Sequence, residues 1–112
     1  MKGSTIKGHL EMLVLSVLAS RPLHGYAVIE ELKTRSGDSF DLPEGTIYPV
    51  LHRLEKEGLL ASAWSEASGR QRRTYTLTRA GKGALAEQRR AWQDFSDAVR
   101  KVLGGAPWPV KI

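Results

Sequence analysis

The sequence places a short basic hairpin directly after an amphipathic helix, and this order restricts the possible folds more than any other feature. Leu60–Glu66 and Arg73–Thr78 have the composition of two β-strands, and the second alternates apolar residues with threonines. Ser68-Gly69 supplies residue types that favour a turn. The segment between the strands, residues 69–73, reads Gly-Arg-Gln-Arg-Arg. We therefore expect a β-hairpin with a cationic tip, next to a helix over Thr46–Glu57.

The predicted helix Thr46–Glu57 has one apolar and one polar face. Its inner face carries apolar residues at helical spacing: Ile47, Val50, Leu51 and Leu54. If Thr46 is the N-cap, Pro49 is the third helical residue, where its missing N–H has no intrahelical partner to lose. An earlier start predicts a kink at Pro49. Gly58 has the residue type that ends a helix. The outer face carries Tyr48, His52 and Glu55, with Arg53 and Lys56 beside them.

Two further helices are predicted before this one. Leu10–Leu18 is apolar nearly all round, which is typical of a helix covered on several sides. Arg21-Pro22 should end it, because proline cannot continue a helix. Gly25–Thr34 has apolar residues on one face and charges elsewhere, which predicts the second helix. We expect His24 to help start this helix and Tyr26 to be part of the core.

A long helix over Arg79–Leu103 is predicted to follow the hairpin, with Thr78 as its N-cap. Two series of positions step by seven residues, as in the seam of a coiled coil: Leu85, Trp92 and Val99, and Gln88, Phe95 and Val102. We favour pairing of this helix with a second copy of the chain. Packing on its own domain is the alternative. Residues 104–112, with two glycines and two prolines, are typical of a flexible tail.

The basic residues are concentrated in one short segment. The whole chain has a net charge of +5, whereas residues 70–90 alone carry seven basic residues and one acidic residue, a net charge of +6. A localised excess of this kind favours binding to a polyanion such as nucleic acid. The alternative interpretation is a solvated basic surface.

Several classes of function are not expected. The chain has no cysteine, which excludes disulfides and thiolate metal sites and fits a cytoplasmic protein. No apolar run approaches the ~20 residues of a membrane span. Met1–Ser20 is similar to a signal peptide, but His9 and Glu11 interrupt it, so secretion is not expected. We find no spacing typical of a metal site, no nucleophile–base set and no phosphate loop, so neither enzyme activity nor a cofactor is predicted.

Three stretches resemble the PadR family of bacterial transcriptional regulators. They are His24-Gly25-Tyr26, residues 45–59 (Gly-Thr-Ile-Tyr-Pro-Val-Leu-His-Arg-Leu-Glu-Lys-Glu-Gly-Leu) and residues 69–81 (Gly-Arg-Gln-Arg-Arg-Thr-Tyr-Thr-Leu-Thr-Arg-Ala-Gly). The likeness covers residues 8–103, and its middle block is the most specific. It implies a mainly α fold with a small β-hairpin (α+β). A winged helix-turn-helix domain would span residues 1–78, a C-terminal dimerisation helix residues 79–103, and a flexible tail residues 104–112.

The single C-terminal helix is similar to that of the compact members of the family. The resemblance implies a cytoplasmic, nucleoid-associated homodimer that represses transcription from a pseudo-palindromic operator. It also implies release from double-stranded DNA by a small aromatic or hydrophobic effector. A winged-helix module that binds protein and responds to no ligand is the alternative. The +6 segment argues against it, and a steep salt dependence of binding to duplex DNA would decide.

The candidate DNA contacts come from the third helix and the hairpin tip. Tyr48 and His52 can reach phosphates or base edges. The amides at the helix start can face a phosphate or only cap the helix. Gln71, where many family members have proline, can reach a minor-groove acceptor, and Arg73 is predicted to follow phosphate or lie across Tyr75. The full set is Gly45, Thr46, Tyr48, Pro49, His52, Arg53, Lys56, Gly69, Arg70, Gln71, Arg72 and Arg73.

The resemblance also points to an effector and dimer surface on the long helix. One multidrug-binding member of the family has a tryptophan at the position of Trp92, where it stacks on flat ligands at the dimer interface. The alternative is that two Trp92 rings only fill the core of the dimer. The residues assigned to this surface are Leu85, Gln88, Trp92, Phe95, Ser96, Val99 and Val102.

Overall fold

The computed structural model describes residues 7–67 and 69–104. These residues form four α-helices and a three-stranded antiparallel sheet. A short 3-10 turn leads into the first α-helix. In chain order, the elements are α1 (Leu10–Ser20), β1 (Leu23–His24), α2 (Gly25–Arg35), α3 (Glu44–Lys56), β2 (Leu60–Ala67), β3 (Arg70–Leu77) and α4 (Arg79–Leu103). The strand order in the sheet is β1-β3-β2. These elements have the arrangement of a winged helix, in which α3 is followed by the β2–β3 wing.

Apolar side chains from α1, α2, α3 and the sheet form one core, with Leu85 of α4 added to it. The largest fully buried side chains are Tyr75, Leu15, Ile47, Leu51, Leu54, Leu60, Val14 and Val28. The inner face predicted for the third helix is confirmed, because all four of its apolar residues are buried. The prediction for Tyr26 is wrong: its side chain is 53% exposed. Burial raises the pKa of Tyr75, whose ring lies at the base of the wing.

The N-cap of helix α3 lies three residues earlier than Thr46. Pro43 is its N-cap, and the carbonyl of Pro43 accepts from the N–H groups of Thr46 and Ile47 at 3.0 and 3.2 Å. Of the two starts considered, Thr46 as the N-cap is wrong and the earlier start is observed, so Pro49 is the sixth helical residue. The kink expected for that start stays a prediction. Without an N–H, Pro49 cannot donate to the carbonyl of Gly45, so this turn lacks one helical hydrogen bond.

The end of α3 agrees with the sequence. Gly58 has a φ of +82°, a left-handed backbone conformation that residues other than glycine rarely adopt. Its N–H donates to Glu55, and the N–H of Leu59 donates to Leu54 at 2.9 Å. These two bonds satisfy carbonyls at the helix end that have no intrahelical partner. They also turn the chain directly into β2.

The wing differs from its prediction in the length of its strands. Ala67 pairs with Arg70, so only residues 68 and 69 separate β2 from β3, and Gly69 has a φ of +74°. The basic residues 70–73 therefore lie on a strand rather than in a turn, and their side chains alternate between the two faces of the sheet. Strand β1 is missing from the sequence prediction, because two residues are too few for a periodic pattern.

Thr78 and Gly81 attach the start of α4 to the end of α3. The Thr78 hydroxyl donates to the carbonyl of Gly58 at 2.7 Å and accepts from the N–H of Gly81 at 3.0 Å. Thr78 is thus the predicted N-cap. Gly81 is buried, and a Cβ added to it would lie 2.1 Å from the carbonyl oxygen of Leu59. Only glycine allows the helix and the loop to approach this closely.

The two halves of α4 have different surroundings. Leu85 is 4% exposed and belongs to the core, and Gln88 is hydrogen-bonded to Glu11 of α1. Leu85 therefore packs in its own domain and not in an intermolecular seam, whereas the assignment of the half-buried Gln88 to the effector and dimer surface stays a prediction. Farther along, the helix exposes apolar side chains: Trp92, Phe95, Val99, Val102 and Leu103.

The predicted division of the chain at residue 78 stays a prediction. Leu85, beyond that boundary, packs into the same core as the residues before it. Apart from Gly104, the predicted tail lies outside the described residues. Among the residues that the structure describes, no helix is both long enough and apolar enough to cross a membrane.

Candidate nucleic-acid interface

The outer face of α3 presents an aromatic and an imidazole side chain one turn apart. The rings of Tyr48 and His52 have centroids 6.3 Å apart. Tyr48 is half-buried because its ring covers Gly25 at the start of α2. A Cβ at Gly25 would lie only 2.6 Å from Cε1 of Tyr48. The glycine of the His-Gly-Tyr motif therefore makes room for the tyrosine, and this contact fixes the ring in place. Pro49, Arg53 and Lys56 are exposed on the same helix.

A cleft of about 620 Å³ lies between α3 and the wing. The start of α2 closes one side, and the cations of β3 line another. The residues around it are His24, Gly25, Tyr26, Glu44, Tyr48, His52, Trp64, Arg70, Gln71, Arg72, Arg73 and Tyr75. The structure therefore brings Tyr48 and His52 of α3 and residues 70–73 of the wing to one concave surface. The other predicted residues do not line it: Gly45, Thr46, Pro49, Arg53, Lys56 and Gly69.

Arg72 is directed into the cleft, where it meets His24. Its Nη1 lies 2.8 Å from Nε2 of His24. The Nδ1 atom of His24 accepts from the N–H of Ala27 at 3.2 Å and caps α2, which confirms the predicted role of this histidine. Burial and the nearby Arg72 both lower the pKa of His24, which favours the neutral ring. Only one of the guanidinium nitrogens lies against His24, so Arg72 keeps unused N–H donors.

In the free protein Arg73 is held by residues of α3 and β2, and its predicted contact with phosphate stays a prediction. Its Nη2 lies 3.6 Å from a carboxylate oxygen of Glu55, and its Nε donates to the hydroxyl of Ser62 at 2.7 Å. Ser62 in turn donates to Glu55. The Arg73 guanidinium also lies 5.3 Å from the ring centroid of Trp64. These contacts hold the wing against α3, and Glu55 offsets the charge of Arg73.

Arg53 contacts α1 rather than a neighbour on its own helix. Its Nη2 lies 3.6 Å from a carboxylate oxygen of Glu11. The N–H of Thr46 donates to Pro43 and is not available for a phosphate. Gly45, Gly69, Arg70 and Gln71 are exposed at the two ends of the interface.

A second cleft, of about 420 Å³, lies between α1 and the exposed half of α4. The ring of Trp92 has its centroid 5.0 Å from that of His9, in an edge-to-face arrangement, and 6.1 Å from that of Phe95. Gln88 donates to Glu11 at 2.6 Å, while its Oε1 is buried without a partner among the described residues. Ser96 accepts from Arg100 on the next turn. The structure thus joins Gln88, Trp92 and Phe95 at one cleft, with Val99 and Val102 beyond it.

The sequence model of the transcriptional regulator PadR-like family matches residues 14–87. The chain belongs to the PadR-like family. The transcriptional regulator Rv3488 of Mycobacterium tuberculosis is 42% identical over 92 residues, which cover 82% of this chain and 80% of the relative. A PadR family transcriptional regulator from Eggerthella lenta has the same fold, with a TM-score of 0.80 and 35% identity over 92% of this chain and 88% of its own.

A PadR-like transcriptional regulator from Bacillus cereus also superposes, with a TM-score of 0.80 and 30% identity over 92% of this chain and 99% of that protein. The family and the α+β winged-helix fold predicted from the sequence are confirmed. The protein is a PadR-family transcriptional regulator and not an enzyme, as predicted, because the family and its characterised relatives regulate transcription. Among the described residues, no group of three or more potential metal ligands lies together.

Six of the residues around the cleft of this PadR-like chain were not predicted to be part of the interface, and Trp64 is one of them. Trp64 is 63% exposed, next to Arg73. Leu60, Ser62 and Trp64 alternate along β2, so the same pattern that places Leu60 in the core places Trp64 on the same face of the sheet. That alternation was the signal that could have revealed it.

Proposed function

We propose that this PadR-family protein is a homodimeric repressor that binds a pseudo-palindromic operator in double-stranded DNA. The observation that carries the proposal is the cleft between the outer face of α3 and the basic strand β3. An α-helix fits the major groove, which is about 12 Å wide. With α3 in the groove, the adjacent sugar–phosphate strand would lie in the cleft and the wing would reach the neighbouring minor groove. Such a regulator acts in the bacterial cytoplasm, at the nucleoid.

The side chains divide into two roles in this proposal. Arg70 and Arg72 neutralise phosphates, and Arg72 is suited to this because His24 leaves its guanidinium with unused donors. Tyr48 and His52 face the groove and provide the contacts that depend on sequence. The N–H of Gly45, in the first turn of α3, is an additional donor for a phosphate.

We propose that the second half of α4 forms the dimer interface. Val102 is 86% exposed in a single chain, and Phe95 and Val99 are exposed on the preceding turns. A contiguous apolar surface of this kind is unfavourable in water and is typical of an interface. The seven-residue spacing of Trp92 and Val99, and of Phe95 and Val102, fits pairing with a second helix. A two-fold dimer would place two copies of α3 on half-sites about one helical turn apart.

The cleft at Trp92 is our candidate site for a flat aromatic or hydrophobic effector. Trp92 is 42% exposed and offers one face of its ring. Glu11 lies at the edge of this cleft and contacts both Gln88 of α4 and Arg53 of α3. A ligand that moves Gln88 would therefore disturb the position of α3. Filling of the dimer interface by two Trp92 rings is the alternative.

The test of DNA binding starts with the region upstream of the gene. A footprint on an inverted repeat there, with affinity that falls steeply as salt rises, is expected for a dimer that neutralises several phosphates. Absence of binding to any duplex, even at low salt, would contradict the proposal and favour a protein-binding module. Sedimentation of the free protein checks the dimer independently, because a monomer would contradict the role proposed for α4.

The effector is tested with planar cations and phenolic compounds. Quenching of tryptophan fluorescence together with a higher melting temperature and weaker operator binding is expected for a ligand that releases the repressor. A panel that produces neither quenching nor a thermal shift would favour the alternative, in which Trp92 serves only the interface.

A further inference from the structure

Trp64 occupies an unusual position for a large apolar side chain. It lies on the face of the sheet that Leu60, Tyr75 and Leu77 use to form the core, since Leu60 pairs with Leu77 and alternate residues share a face. However, it is farther out along the wing, beyond the end of the core, and 63% of its surface is exposed. An exposed indole here offers a large apolar ring and an N–H donor to a partner.

The surroundings of Trp64 identify the chemistry of that partner. The ring faces the cleft that also contains Tyr48 and His52 of α3, and the cations Arg70 and Arg72 lie on the same cleft. Three arginines and one carboxylate, Glu44, line this cleft, and this positive excess fits a polyanion there. Arg73 lies against the indole but is offset by Glu55 and held by Ser62, so its main effect is to fix the orientation of the ring.

We propose that Trp64 is a DNA-backbone contact. Its ring packs against the deoxyribose of the strand lying between α3 and the wing, and its indole N–H donates to a phosphate oxygen. This inference rests on the proposed DNA-binding function and adds an uncharged contact to it. A duplex is the occupant that fits, because it presents an apolar sugar edge and a row of anions side by side, matching the indole and the adjacent arginines.

A contact with sugar and phosphate has a distinctive energetic signature. Trp64→Ala should weaken binding to operator and to unrelated duplex alike, roughly tenfold or more, because truncation of an interface tryptophan removes a large contact. The salt dependence should stay unchanged, because no charge is lost. Arg70→Ala should instead flatten the slope of log K against log salt by about one. Ala63→Ser, an exposed neighbour on the other face of β2, should change neither quantity.

Fluorescence reports the contact directly. In Trp92→Phe/Trp108→Phe protein, Trp64 is the remaining tryptophan. Its emission should change on titration with duplex, along the same curve as the anisotropy of labelled DNA. Wild-type protein carrying fluorinated tryptophan gives the same information by NMR without altering α4. Trp64→Phe keeps an apolar ring and loses the N–H, so it should retain part of the affinity.

Each outcome has a definite meaning. If the wild-type protein binds duplex while Trp64 emission and resonance stay constant, or if Trp64→Ala binds as tightly as wild type, the assignment of Trp64 is overturned and the DNA-binding function stands. If the wild-type protein binds no duplex, both proposals are overturned. A response of Trp64 to an acidic peptide would then identify protein as the partner. Thermal unfolding of Trp64→Ala should match wild type, because the side chain is mostly exposed.

Discussion

Replacing Gly81 by alanine tests whether a close approach between backbone segments holds α4 on the domain. The new Cβ would lie 2.1 Å from the carbonyl oxygen of Leu59 and 2.6 Å from Cδ1 of Leu77. The carbonyl is fixed, because it accepts from the N–H of Thr78 at 3.1 Å. Relief therefore requires a shift of the whole first turn of α4. Overpacking of this kind costs about 1–3 kcal/mol, and more when the neighbour is backbone.

Helix propensity acts in the opposite direction, and Gly83 provides the matched control. Alanine is favoured over glycine in a helix by about 1 kcal/mol. A Cβ at Gly83 meets nothing within 4 Å, so Gly83→Ala should gain most of this amount. Gly81→Ala gains the same propensity but suffers the clash, which leaves a net loss of about 0–2 kcal/mol. The two variants should therefore differ by about 1–3 kcal/mol in the free energy of unfolding.

Urea unfolding followed by circular dichroism measures this difference, with all proteins at one concentration because dimer formation would add to apparent stability. Gly83→Ala should have a higher midpoint than wild type and Gly81→Ala a lower one. Equal midpoints for the two alanine variants would refute the argument, because they would mean that the first turn of α4 can move away from Leu59 at no cost.

Three further results are expected. The double variant Arg70→Ala/Arg72→Ala should bind all duplexes more weakly and flatten the salt dependence by nearly two, and an unchanged slope would remove both from the interface. Leu85→Ala should lower the free energy of unfolding by about 2–5 kcal/mol, because Leu85 is buried. Val102→Ala should leave the stability of the monomer unchanged and weaken the dimer measured by sedimentation, because Val102 is exposed in a single chain. Because the pKa of His24 is lowered by folding, the unfolded chain binds more protons as pH falls below about 6.5. Stability should therefore decline at acidic pH, and less so in His24→Asn, which keeps a capping side chain.

The parts of the fold that were predictable depend on local sequence. The start of α4 follows from Thr78, whose hydroxyl caps the helix that begins after it, and the end of α3 follows from Gly58. The start of α3 was not predictable in the same way. Its N-cap is Pro43, which has no side-chain hydrogen bond to offer, so Thr46 was the more favourable candidate by propensity.

The candidate site was only partly predictable, because its ion pairs join residues far apart in sequence. Arg73 and Glu55 are on different elements, as are Arg53 and Glu11. Composition identifies the cations but not which of them an acid already offsets. The heptad pattern has a similar limit: Leu85 repeats in register with Trp92, yet its place is in the core, since the first turns of α4 pack on α1 and β3 before the helix extends beyond the domain.

These ion pairs restrict how the proposed repressor could be controlled. Arg73, Glu55 and Ser62 join the wing to α3, so the two parts of each DNA-binding surface should move together rather than separately. A ligand at Trp92 would then act by changing the distance between the two surfaces of a dimer, since α4 both carries Trp92 and forms the proposed interface. Glu11 is the point where such a movement would reach α3, through Gln88 and Arg53. Glu11→Gln should accordingly leave operator affinity in the absence of ligand nearly unchanged and reduce the loss of affinity that an effector causes. The same ligand-induced loss in Glu11→Gln as in wild type would show that the signal takes another route.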